Sequence, residues 1–153
     1  MTALENKVPP PLICIFSALL MWWLSSLSAP FALDEAIRRA LIFLFLGLGV
    51  IVCVAGIIEF KRVKTTVNPL KPETASSLVN SGVYRISRNP MYLGMALILL
   101  AFAVYLSSVI SLLGIIVFVF YMNKFQIVPE EKAIEGLFGD DYILYKSKVR
   151  RWI

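Results

Sequence analysis

Histidine is absent from the 153 residues, which removes the commonest metal ligand and the commonest general base. Cysteine is scarce. Cys14 and Cys53 both fall inside apolar stretches, where a thiol behaves as a small hydrophobic group, so neither a disulfide framework nor a metal site is expected. Charge is missing from three long runs: 11–27, 40–58 and the stretch from Asn89 to Asn123. Ionisable residues inside spans mark most charged-solute transporters, so their lack argues against transport. Repeats and low-complexity tracts are also absent.

What is abundant is apolar. At 59% hydrophobic residues the chain exceeds the roughly 45–50% of soluble domains, and one small helical membrane domain without a separate soluble module is expected. The net charge of +5 is concentrated in a connecting segment, with Lys61, Arg62, Lys64, Lys71, Arg85 and Arg88, and in the tail beyond Lys124. That distribution fits cytoplasmic loops of a membrane protein and not a nucleic-acid surface.

Four transmembrane helices are expected, at about 11–27, 40–58, 91–106 and 109–123. A signal peptide is the rival reading of the first, given the small residues 26–29, but its leading segment has no net positive charge and Pro30 would follow the cut. Asp34 is placed to cap the second helix. Gly47, Gly49, Cys53 and Gly56 offer a small-residue face for close helix packing, and Gly47 and Gly49 lack the third glycine and preceding strand of a dinucleotide loop. As one helix the run 89–123 would be ~52 Å long, too long for a ~30 Å hydrocarbon core, so it is read as a hairpin turning near Ser107, Ser108 and Ser111. Asn68-Pro69 and Lys71-Pro72 break helix in the connector. In the tail, Pro129 with Glu130 and Glu131 reads as a helix start, Gly139 as its end and Asp140 as the cap of a last, interfacial helix carrying Tyr142, Tyr145 and Trp152. Asn89-Pro90 reads as a cap and first-turn proline. Four spans place both termini and the segments 68–90 and 124–153 on the cytoplasmic side.

Singly, these signals are ordinary anchors and caps. In order they are not. LVNSGVYRISRNPMYLG, then a hydrophobic hairpin, then PEEKAIEGLFGDDYILYKSKVRRWI resembles the isoprenylcysteine carboxyl methyltransferase and phospholipid methyltransferase group of integral membrane enzymes, over roughly Asn68 to Trp152. The resemblance implies an all-α membrane bundle that binds S-adenosylmethionine without a Rossmann domain and methylates a lipophilic acceptor drawn from among the membrane lipids. By position it puts cofactor contacts on Ser76, Ser77, Leu78, Val79, Tyr84, Asn89, Pro90, Met91, Tyr92 and Glu130, with Arg88, Gly94 and Glu131 also matching. It names no catalytic acid or base. Familiar members carry histidine where this chain has Asn89, and a substrate-binding arginine where it has Gln126, leaving Lys124 or Arg85 as the nearest cations.

Methyl transfer from a sulfonium is an in-line displacement, so alignment and exclusion of water matter most. A carboxylate acceptor, with a pKa near ~4, needs no base, whereas an ammonium must first lose a proton. The lack of histidine therefore leans toward a carboxylate acceptor, with an amine-directed phospholipid enzyme as the alternative and a noncatalytic membrane scaffold as a reading from another class. Glu130 is expected to meet the cofactor's ammonium or ribose, Arg88 or Arg85 its carboxylate, and Leu78, Val79, Tyr84 and Tyr92 its adenine. The acceptor would enter from the lipid between the hairpin and the second span.

Overall fold

The computed structural model describes residues 5–63 and 75–153, so Asn68-Pro69, Lys71-Pro72 and the start of the 68–90 segment lie outside the described residues. Among these residues every regular element is helical. The main helices are α1 (Pro10–Ser25), α2 (Glu35–Arg62), α3 (Pro90–Leu106), α4 (Leu112–Tyr121), α5 (Val128–Phe138) and α6 (Asp140–Lys148). A 3₁₀ turn (Gly82–Arg85) precedes α3, and a π-helical segment (Met122–Ile127) joins α4 to α5.

Local chemistry accounts for the ends. Asp34 Oδ1 accepts from the amides of Ala36 at 2.9 Å and Ile37 at 3.1 Å, Glu35 occupies the first turn of α2 and Lys61 and Arg62 its last, each suiting the helix dipole. Pro10 and Pro90 stand in the first turns of α1 and α3, where a missing N–H costs nothing. Ser107, in the left-handed region at φ 49°, ends α3 at the expected hairpin.

Among the described residues two helices are long and apolar enough to cross a membrane: α2, and the continuous helix Leu112–Phe138 formed by α4, the π segment and α5. The apolar helices α1 and α3 are shorter, ~24 and ~26 Å by their rise. The last expected span was to stop at 123, with a separate helix beginning at Pro129. Instead the helix runs on, because the wider π segment absorbs the turn in which the proline supplies no donor. The outward faces are greasy. Trp22, Phe43, Ile51, Ile116 and Phe120 are each more than 60% exposed, apolar faces that suit lipid.

α3 is the central helix. α2 lies along it, while α1 and α4 pack on it and on each other and touch α2 little. Ile13, Met21, Tyr92, Leu99, Phe118 and Met122 fill the core between α1, α3 and α4. At the α2–α3 crossing the backbones nearly touch: a Cβ on Gly49 would lie 2.7 Å from the Gly94 carbonyl oxygen and 2.8 Å from Ile98. Gly47, expected on the same face, meets nothing within 4 Å. Gly49→Ala should therefore destabilise by roughly 1–3 kcal/mol through overpacking against backbone. Gly47→Ala should be neutral or slightly stabilising. Thermal unfolding of the purified protein in detergent distinguishes them, and equal midpoints would contradict the close crossing.

Chain direction alternates through the four apolar helices. At one end Phe31 N–H donates to the Ser107 carbonyl at 2.8 Å and Ser28 meets Ser108 at 3.0 Å. At the other, Asn6 N–H donates to the Phe125 carbonyl at 3.0 Å, Ser81 bonds Glu59, and the tail folds over the start of α3.

Candidate functional site

That second end holds a cleft bounded by the end of α2, residues 75–79, Tyr84, the start of α3, and α5 and α6, with about 850 Å³ of non-atom space including solvent at its mouth. Ten of the expected cofactor residues line it: Ser77, Leu78, Val79, Tyr84, Arg88, Asn89, Met91, Tyr92, Glu130 and Glu131. Two stretches remote in sequence thus share one cavity.

The two glutamates have opposite surroundings. Glu131, 8% exposed, holds Arg88 Nη2 at 2.8 Å through one oxygen and Arg151 Nη2 at 2.7 Å through the other. Burial would raise its carboxyl, but the hydrogen bonds from Arg151 and Arg88 outweigh that and hold it below the usual carboxylate range. Among the described residues Glu130 has only neutral donors: Tyr92 OH at 2.6 Å, and the Gln126 amide. It stands seven residues past Asn123, ~10 Å beyond the charge-free stretch. Burial pushes its carboxyl up to about 7 despite those two bonds, and the negative charge on Glu131 adds to the shift. Among the described residues the cleft therefore presents one carboxylate without a cation beside it.

Arg88 is the one cation among the described lining residues, and it is engaged. Its Nη1 donates to the Lys146 and Val149 carbonyls at 3.1 and 2.8 Å and its Nη2 to Glu131. Its Nε–H is buried without a partner among the described residues. Aromatic side chains make the walls: Tyr84 packs edge-on to Phe60 at 5.5 Å, and Tyr145 OH donates to the Tyr84 carbonyl at 2.7 Å. Burial raises the hydroxyls of Tyr84, Tyr142 and Tyr145, so they remain neutral donors at physiological pH.

Several expectations are corrected by this geometry. Asn89 makes no side-chain cap; its Nδ2 donates to the Arg151 carbonyl at 2.9 Å instead. Asp140 does not cap α6, because Gly139 at φ 50° occupies the corner as both C-cap and N-cap. Tyr142 and Tyr145 are not interfacial but buried cleft walls, and Trp152 turns inward to donate to Asn123 Oδ1 at 3.0 Å. Ser76, Pro90 and Gly94 do not line the cleft, Gly94 being taken up by the contact with α2. Nor do the three expected substrate residues. Arg85 faces a separate polar cleft beside Lys148 and Asp141, exposed Lys124 lies over the Phe120 and Phe125 rings, and Gln126 is buried against Glu130. The sequence reading missed Phe60, Ile134 and Phe138 in the wall and Arg151 behind it; only the spacing of Tyr142 and Tyr145 along one helix face hinted at their role.

A helical membrane protein with a polar, aromatic-walled cleft at one end of its bundle is the class these observations define. Comparison with known proteins narrows it. A profile of phospholipid methyltransferase sequences matches residues 37–141, and the chain belongs to that family. A 63-residue span, 41% of the chain, is 49% identical to an uncharacterized protein of Haemophilus influenzae and covers all of it. A span of 82 residues, 52% of the chain, is 38% identical to the protein-S-isoprenylcysteine O-methyltransferase of Saccharomyces cerevisiae, of which it covers only 33%. No solved structure matches. Membership makes the chain a membrane methyltransferase in kind.

Proposed function

We propose that the chain is an S-adenosylmethionine-dependent methyltransferase that modifies an amine on a lipophilic acceptor. The observation that carries this reading is the charge layout of the cleft among the described residues: a carboxylate held only by neutral donors, and a guanidinium with one buried N–H unpartnered. S-adenosylmethionine fits those groups, since it brings an ammonium, a carboxylate, ribose hydroxyls and an adenine as well as a sulfonium-borne methyl group. Glu130 would hold the ammonium or ribose, Arg88 Nε the carboxylate, and Tyr84 with Leu78 and Val79 the adenine.

The acceptor follows from what is left. The lack of histidine favoured a carboxylate acceptor, but the cations meant to receive it, Arg85 and Lys124, face elsewhere and Gln126 bonds Glu130. With Arg88 assigned to the cofactor's carboxylate, no cation among the described lining residues is left to pair an acceptor carboxylate, which supports an amine. Because α2 and α4 flank α3 with little mutual contact, a lipid tail would reach the cleft laterally between α2 and α4, over the outer face of α3. Four spans with the cleft and both termini in the cytoplasm complete the reading. Basic residues crowd the cleft end, whereas Arg38 and Arg39 at the other end are balanced by Asp34 and Glu35.

Calorimetry of the purified protein should detect S-adenosylmethionine binding, and no binding at millimolar ligand would remove the cofactor assignment. Methyl-labelled product formed on extracted lipids should survive alkali as a methylated amine. Alkali-labile label would instead mean an ester and return the acceptor to a carboxylate.

A further inference from the structure

We infer that Glu59 is a positioning residue that fixes one wall of the cleft to α2, an assignment that rests on the S-adenosylmethionine reading of that cleft. A carboxylate in the last turn of a helix faces the negative end of the dipole, and Glu59 is only 8% exposed there. Arg62, 3.8 Å away and with its side chain 76% exposed, compensates it weakly. Helix stability does not explain the residue.

Its contacts across the chain do. Glu59 Oε2 accepts from Ser81 Oγ, and its side chain lies flat against Gly82. Gly82 stands at φ 54°, and a Cβ there would fall 2.5 Å from Glu59 Oε1, so the position demands glycine for both backbone and space. The Ser81 carbonyl in turn accepts from Tyr84 N–H at 3.0 Å, closing the 3₁₀ turn. Tyr84 then packs on Phe60, one residue past Glu59, and its hydroxyl reaches toward Gly56 a turn earlier. Glu59, Ser81 and Tyr84 form one unit, and Tyr84 lines the cleft. Releasing the carboxylate should let this wall drift from α2 without disturbing the α3–α5 core.

The test uses the full chain in detergent with two readouts: amide hydrogen exchange over residues 81–87 without ligand, and S-adenosylmethionine affinity by calorimetry. Glu59→Ala and Ser81→Ala should each speed exchange over 81–87, leave α3 amides protected, and weaken affinity about tenfold. The double variant should be no worse than either single one, because both remove the same bond. Glu59→Gln, whose carbonyl can still accept from Ser81, should stay within about threefold of the parent. Unchanged exchange in Glu59→Ala, or single effects that multiply to about 100-fold in the double variant, would overturn the assignment. If Glu59→Ala does not fold, Ser81→Ala alone decides. If the parent protein binds no S-adenosylmethionine, the functional reading falls and the exchange data still judge the clamp.

Discussion

Glu131→Ala is expected to destabilise the protein by about 3–5 kcal/mol, the usual consequence of removing one partner of a buried ion pair. The carboxylate neutralises two arginines at once, and Arg88, with its side chain 10% exposed, rehydrates only in part when its partner is removed. The loss also frees Arg151, whose carbonyl holds Asn89 and whose neighbour Trp152 holds Asn123, so the whole tail should loosen from the start of α3. For a domain of this size the unfolding midpoint should fall by roughly 6–20 °C. Arg151→Ala should cost less, since that side chain is 35% exposed and Arg88 still satisfies the glutamate. The sign with pH follows from the lowered carboxyl of Glu131. Its contribution is complete above the ordinary carboxylate value of 4.5 and is lost as pH falls through its lower folded value. Acid should therefore destabilise the parent more than Glu131→Gln. A midpoint for Glu131→Ala within 2 °C of the parent would mean that the triad is solvated and does not hold the tail.

Glu130→Gln should have the opposite character, leaving the fold intact and removing ligand affinity. The amide preserves volume and an acceptor for Tyr92, and it relieves an enclosed charge that no cation among the described residues balances. S-adenosylmethionine affinity should fall about 100-fold, equivalent to ~2.7 kcal/mol. A pH profile identifies the cause. With the free carboxyl at about 7, protons compete with a cationic ligand below neutrality. Affinity in the parent should therefore rise up to tenfold per pH unit from pH 5 toward 7 and level off above it. The profile of Glu130→Gln should be flat. Unchanged affinity in the variant, or a parent profile without that rise, would remove Glu130 from the binding role.

Much of this architecture is legible in the chain because its determinants are local. The apolar helices, the Asp34 cap, the serine hairpin and the Gly139 corner each follow from composition and backbone preference within a few residues. The cleft is partly legible for another reason: the resemblance encodes a meeting of Tyr84–Tyr92 with Glu130–Glu131 that spacing alone does not reveal. What stays hidden is competition for partners. Asn89 looks like a cap, yet the Arg151 carbonyl, 62 residues later, takes its amide. Gln126 reads as a substrate contact, yet it reaches one turn ahead to Glu130. Arg85 is near Tyr84 in sequence but faces away from it, because the 3₁₀ turn sends consecutive side chains in different directions.

The π segment sets a phase. Relative to an unbroken α-helix, one extra residue in a turn rotates everything downstream by about 100°. The lipid-facing stripe of α4 and the cleft-facing stripe of α5 are thus different azimuths of a single rod, matched by the residue count across Met122–Ile127. A one-residue deletion there would swing the acidic pair off its target while leaving hydropathy, charge and helicity almost unchanged. The spacing between hairpin and glutamates therefore acts as a ruler, and pairwise comparison across this stretch is meaningful only when no gap is opened inside it.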